Sequence, residues 1–158
     1  MVEDPKNQHY QDWAYRGLLT VTEGDMIDEV TIRDDLFADG REHGYQEVAF
    51  DEWGASRMIL ECQAEGIQAV PVPQTTKYLS EPLKSVEALV KSGQFHHNGD
   101  QVATWAISNV TCREDANENI FPRKERKENK IDPASALFVA MSRALVTAVT
   151  EPRIRSLG

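Results

Sequence analysis

Tyr45 to Val72 reads YQEVAFDEWGASRMILECQAEGIQAVPV. In its first part Val48 and Phe50 alternate with Ala49 and Asp51, the period of two that marks a strand, here one with an acid at its C-terminal end. The middle part, WGASRMILECQAEG, carries Met58, Ile59 and Cys62 at helical spacing and stops at Gly66, a residue suited to a left-handed C-terminal cap. Ile67 to Val72 is apolar again and forms a second strand, whose Pro71 and following Pro73 suit only an edge or an exit of a sheet. A strand, a helix of about three turns and a strand make a βαβ unit, so the two strands are expected to be parallel neighbours joined by a right-handed crossover. In such sheets ligands gather at the carboxyl ends of the strands, where Asp51 sits.

The flanking segments extend this α/β pattern. HYQDWAYRG reads as a short helix ended by Gly17, and LLTVT, Leu18 to Thr22, as a strand closed by a turn at Glu23 to Asp25. IDEVTIRDDLFADG places Ile32, Leu36 and Phe37 on one helical face. PLKSVEALVKSG is amphipathic through Leu83, Val86, Leu89 and Val90 and ends at Gly93. After the Asn98-Gly99 turn signal, VATWAISN reads as a short helix, and VTCRE and NIFPRK flank DANEN as a hairpin. A long helix runs from Pro133 to about Val149, followed by a tail that Pro152 interrupts.

The 158 residues, 41% of them hydrophobic, are enough for one packed core and short for two. No apolar run approaches a membrane span, and MVEDPKNQHY has no signal-peptide core, so the expectation is a soluble, cytoplasmic protein. Cys62 and Cys112 stand singly in apolar patterns and are expected to be buried, reduced thiols; zinc is not indicated. A net charge of −9 excludes a general nucleic-acid coat. The local exception is RKERKENK, where Arg123, Lys124, Arg126, Lys127 and Lys130 outnumber Glu125 and Glu128. Taken alone such a run is a solvated loop; leading directly into Asp132, it is also a candidate phosphate contact.

Asp132 opens KIDPASALFVA, and Asp followed by Pro is a good helix start, so local chemistry makes it a cap. Asp51 has a similarly plain reading as a turn former. Joint placement changes the weight: a last helix packed on the sheet could bring Asp132 to the strand end that carries Asp51, with carboxylates about 4 to 7 Å apart across bridging ions. Two converging carboxylates suit Mg²⁺ or Mn²⁺, hard cations that keep waters in the remaining positions. His96 and His97, adjacent in a polar turn, read as solvent-facing rather than as ligands. Trp53 and Trp105 read as core anchors rather than DNA-stacking platforms. Asp115 reads as a turn former that could approach the metal site, and Glu52 points away from Asp51.

YQEVAFDEWGA, the strand ending in VPQ, KYLSEPLKSVEALVKSGQFHHNGDQVATWAISNV and DANENIFPRKERKENKIDPASALFVAMSRAL, in that order and together with QDWAYRGLLTVTEGDMID, resemble the C-terminal nuclease domain of the large terminase subunit of tailed bacteriophages. The likeness runs from about Tyr10 to about Leu145. It implies an RNase H-like mixed sheet flanked by helices, and metal-dependent endonucleolytic cleavage of double-stranded DNA in a protein whose separate ATPase domain packages the genome in the bacterial cytoplasm. The portal and the small terminase subunit are the implied partners of the intact protein. The resemblance makes Asp51 and Asp132 two of three metal-holding acids. The remaining acid belongs to a first strand for which no match precedes Tyr10, and Asp4, before a proline in a polar stretch, is not promoted to it.

No Gly-rich loop ending in Gly-Lys-Ser or Gly-Lys-Thr occurs. The expectation is a single partial nuclease domain, N-terminally truncated, that binds Mg²⁺ or Mn²⁺ weakly and has impaired activity. Loss of the first strands would leave the Asp51 strand with an open edge, to be covered by Leu18 to Thr22 or by a second chain in a homodimer. The alternatives are a catalytically inactive prophage remnant or a self-associating interaction module, and, third, an unrelated metal-dependent phosphoesterase.

Overall fold

The computed structural model describes residues 8–24 and 26–150; Asp4, Asp25 and the tail 151–158 lie outside the described residues. The elements in chain order are α1 (Gln8–Tyr15), α2 (Glu29–His43), β1 (Glu47–Asp51), α3 (Ser56–Ala64), β2 (Gln68–Val72), α4 (Thr76–Lys91), α5 (Gln101–Ser108), β3 (Val110–Glu114), β4 (Ile120–Lys124) and α6 (Asp132–Thr150). β1 and β2 pair in parallel, with Glu47 opposite Gln68 and Asp51 opposite Val72. The βαβ unit read from Tyr45 to Val72 is therefore present, and α3 is its crossover helix. Gly66, at φ +76°, ends that helix as expected. β3 and β4 form the expected antiparallel hairpin, Val110 opposite Lys124 and Glu114 opposite Ile120. The parallel and antiparallel pairs belong to separate two-stranded sheets.

The core lies where α4 and α6 cover the strands. Val72, Leu79, Leu83, Val86, Ala134, Phe138 and Val139 form one buried cluster, with Ala49, Val110, Ile120 and Phe121 packed against it. Leu79, Leu83 and Val86 share one stripe of α4, which explains why this helix starts at Thr76 rather than near Pro82. Proline inside a helix loses a hydrogen bond and costs about 3 kcal/mol. Here Pro82 is itself buried, and burial of the apolar stripe offsets that cost. The hairpin is tied to the same helix by Ser80, whose hydroxyl accepts from the Ile120 N–H at 3.1 Å.

Several expectations change. Leu18 to Thr22 is not a strand and does not cover β1, which among the described residues pairs with β2 alone. The Leu18 N–H instead bonds to the Trp13 carbonyl at 2.8 Å, which ends α1 by folding the following chain back on it. Cys62 is buried but Cys112 is exposed, because β3 belongs to a two-stranded hairpin with an uncovered face. On α2 Phe37 is buried while Ile32 is half exposed, so that face is covered only over its C-terminal part. Trp53 is 81% exposed, carried outward on the turn that follows β1. Trp105 does pack: its ring lies 5.5 Å from that of Trp13 and 5.8 Å from that of Tyr10, centroid to centroid.

One long-range ion pair fixes α6 on the sheet. Arg143 donates through Nε and Nη2 to Glu47 at 2.7 and 3.1 Å. This contact holds the Glu47 carboxyl below its ordinary pKa, with burial opposing. A depressed folded-state pKa means that the stabilisation is complete above the unfolded carboxylate range, near pH 4.5, and fades as pH falls through the folded value. Glu47→Gln is expected to lower the melting temperature at pH 7 by about 2 to 4 °C, the equivalent of about 1 kcal/mol for a domain of this size. Calorimetry at descending pH should show wild type and variant converging below pH 4.5; a gap that persists in acid would assign the effect to packing instead.

Candidate functional site

Asp51 closes β1, and its Oδ1 accepts from the Trp53 N–H at 3.2 Å. Gly54, at φ +81°, then turns the chain toward α3, a conformation that side chains with a Cβ rarely adopt. The turn-former reading of Asp51 is thus correct as far as it goes. It engages one oxygen and leaves Oδ2 of this exposed residue without a protein donor among the described residues.

Asp132 departs from the cap reading. It is the first residue of α6, and Ile131 stands before it in the capping position, accepting the Ser135 N–H at 2.8 Å. Among the described residues no backbone N–H donates to the Asp132 carboxylate. Aspartates do cap helices elsewhere in this chain: Asp28 accepts from Val30 and Thr31 at 3.1 Å, and Asp100 accepts from Ala103 at 2.7 Å. The Ser135 N–H, which a cap at Asp132 would use, is taken by the Ile131 carbonyl, and Asp132 is left exposed at the positive end of the helix dipole. The carboxylate also acts on Tyr10, whose pKa is raised by burial first and by the Asp132 charge second.

The basic run follows the hairpin. Arg123 and Lys124 end β4, Arg126 and Lys127 lie in the turn beyond it, and all four are exposed, while Lys130 is half-buried. None of the five forms an ion pair among the described residues, although Glu125 and Glu128 are close in sequence.

The other candidates are settled locally. His96 and His97 are exposed, and His97 Nδ1 accepts the Gly99 N–H at 3.0 Å, so this pair belongs to a turn. Asp115 is used up in the hairpin turn: its carboxylate accepts from Asn119 Nδ2 at 3.1 Å and from the N–H groups of Asn119 and Asn117 at 3.0 and 2.8 Å, and these bonds, the Asn119 side chain first, hold its carboxyl below the usual range. Glu52 is exposed on the turn after β1. A cavity of about 380 Å³ beside Pro133 is walled by Val90, Phe95, Ile107 and Leu137 with His97 and Asp100 at its polar side, where His97 Nδ1 accepts the Gly99 N–H and Asp100 Oδ1 the Ala103 N–H. Glu47 and Arg143 were not recoverable from sequence, since they stand 96 positions apart with no periodic relation.

Residues 2–148 match the family model described as the terminase large subunit, endonuclease domain. The chain belongs to this family. The terminase nuclease domain described here is 35% identical over 141 residues to Protein YmfN of Escherichia coli (strain K12), covering 88% of this chain and 31% of that protein. It thus spans about a third of the length of the curated relative that it matches. Among solved structures it resembles the HK97 bacteriophage large terminase, with a TM-score of 0.76 at 24% identity over 85% of this chain and 28% of that one. It also resembles the large terminase nuclease of thermophilic phage G20c, solved with bound magnesium, with a TM-score of 0.54 at 23% identity over 70% of this chain and 59% of that one. At these identities the structural likeness establishes the fold, which for this terminase nuclease domain is α/β and RNase H-like.

Proposed function

We propose that this chain is a divalent-metal site for endonucleolytic cleavage of double-stranded DNA, with Asp51 and Asp132 as its two protein ligands. The observation that carries the reading is the Asp132 carboxylate, which stands at a helix start without the hydrogen bonds of a cap. Convergence with Asp51 is supported by strand alternation and by the direction of α6. Glu47 bonds to Arg143 of α6, and Ala49 packs against the cluster that contains Ala134 and Phe138. Residues two apart on a strand share a face, so Asp51 belongs to the α6 side of β1. With Arg143 held at the Glu47 end, the N-terminal part of α6 shares a cluster with Val72, the register partner of Asp51. From Arg143 back to Asp132 the helix rises about 16 Å, and from Glu47 to Asp51 the strand advances about 13 Å. These spans support the reading that the two acids share one end.

The donor chemistry fits Mg²⁺ or Mn²⁺. Both ligands are carboxylates, and among the described residues no cluster of three or more His, Cys, Asp or Glu could hold a metal. Water would complete the coordination, which Mg²⁺ accepts and which makes weak binding the expectation. When bound, such a cation supplies Lewis acidity and an activated water for phosphodiester hydrolysis. The protein would contribute the rest: Asp51 and Asp132 would hold the cation, and Arg123, Lys124, Arg126 and Lys127, without ion-pair partners among the described residues, would steer and seat the phosphate backbone on the approach to Asp132. Cytoplasmic action, and the portal and small subunit as partners, belong to the intact protein under this reading. The self-associating alternative is disfavoured by charge. A symmetric antiparallel pairing of two β1 edges about Ala49 would set Glu47 against Asp51 twice, and like charges directly opposite destabilise a sheet.

Supercoiled plasmid incubated with the chain tests the proposal. Slow nicking and linearisation are expected with Mn²⁺, and none with a chelator. Charge reversal at Arg126 and Lys127 should weaken duplex binding and flatten its salt dependence. Equal cleavage with and without metal would remove the two-carboxylate mechanism.

A further inference from the structure

Asn109 follows the end of α5, and its side chain reaches far along the sequence. Its own N–H closes the helix on the Trp105 and Ala106 carbonyls, while its Nδ2 donates to the Lys130 carbonyl at 3.1 Å. A carbonyl can only accept, so the amide nitrogen must face it. Lys130 lies two residues before Asp132, and the next carbonyl, that of Ile131, receives the first hydrogen bond of α6. Asn109 therefore holds the peptide from which α6 springs, at the junction of that helix with the exposed loop 125–128.

The anchor is itself braced. Trp105, one turn earlier on α5, sits among the rings of His9, Tyr10 and Trp13 at centroid distances of 5.0, 5.8 and 5.5 Å. Arg16 Nη1 bonds to Gln101 Oε1 at 2.8 Å and ties α1 to the first turn of α5. The opening turn of a helix lacks intrahelical bonds to its first N–H groups and frays easily, and Asp132 occupies that turn without a cap. A ligand on a fraying turn samples many positions, and a fixed one does not.

We propose that Asn109 is a positioning residue for Asp132: its amide fixes the Lys130 peptide and so sets where the first carboxylate of α6 is presented to a divalent cation. This rests on the two-carboxylate reading given above. Groups that orient a ligand without touching the ion typically change metal affinity by about 10- to 100-fold. Acting through the backbone two residues away, Asn109 belongs at the lower end.

Calorimetric titration of the full chain with Mn²⁺ alone, beside amide hydrogen exchange at Ser135, decides it. Asn109→Leu removes the donor, keeps the branched heavy-atom skeleton and adds no charge. It should raise the Mn²⁺ Kd about tenfold and speed exchange of the Ser135 N–H, while thermal unfolding stays cooperative. Asn109→Gln, which retains the donor on a longer arm, should recover part of both. If the leucine variant does not fold, Asn109→Ser is read by the same two measurements. Wild-type Mn²⁺ affinity in the folded variant, with Asp132→Asn still losing the ion, overturns the proposal and leaves the metal site standing. Absence of Mn²⁺ binding by the wild-type chain overturns both.

Discussion

Asp51→Asn and Asp132→Asn are each expected to abolish detectable Mn²⁺ binding and, with it, metal-dependent DNA cleavage. Asparagine has nearly the shape of aspartate and keeps a carbonyl oxygen, so in Asp51→Asn the bond from the Trp53 N–H survives and the turn into α3 is retained. What disappears is the anionic charge. A hard cation held by two carboxylates and water has little left when one becomes a neutral amide, and the loss should exceed about 100-fold, roughly 2.7 kcal/mol or more. Both residues are exposed and neither supports the core, so melting temperatures should stay within about 1 °C of wild type. That separation of binding from stability is the diagnostic feature. Mn²⁺ affinity unchanged in both variants would place the ion elsewhere on the chain.

Leu79→Ala should give the largest loss of stability among single core truncations. Leu79 is fully buried and belongs to the cluster formed by α4, α6 and the end of β2. Removing its branched end forfeits transfer free energy and leaves a cavity that helices anchored at several points cannot close, about 3 to 4 kcal/mol in all. For a chain of this size the melting temperature should drop by about 10 °C. Leu60→Ala is the matched control, because Leu60 is 67% exposed and its truncation removes little contact. Urea unfolding of both variants compares the two directly. A change below about 1 kcal/mol in Leu79→Ala would mean that α4 does not pack on α6 as described.

The segment Tyr45 to Val72 was legible in the sequence because its signals are local. Strand alternation, helical spacing and a glycine stop act within a few residues, and they yielded β1, α3, β2 and their parallel pairing. The hairpin and the long last helix were readable for the same reason. Local signals also failed where burial decided the outcome. LLTVT has strand composition but no strand partner among the described residues, and its first N–H, that of Leu18, bonds back to α1. Pro82 marked a helix start by its chemistry, yet the buried stripe of α4 carries the helix through it. Trp53 resembles a core residue until the turn after Asp51 sets it in solvent.

By itself the sequence determined the α/β class, the order of the elements from Glu47 onward, and the two acids at a strand end and a helix start. Tertiary structure alone decided which face α6 covers, through Arg143 and Glu47, and which side chain holds the Lys130 carbonyl, that of Asn109. The physical reason is the range of the forces. Backbone propensity and side-chain period are set by neighbours along the chain, whereas ion pairs and anchoring hydrogen bonds form between groups that only packing brings within about 3 Å. Asp132 shows both at once: sequence chemistry marked it as a cap, and the fold left its carboxylate uncapped.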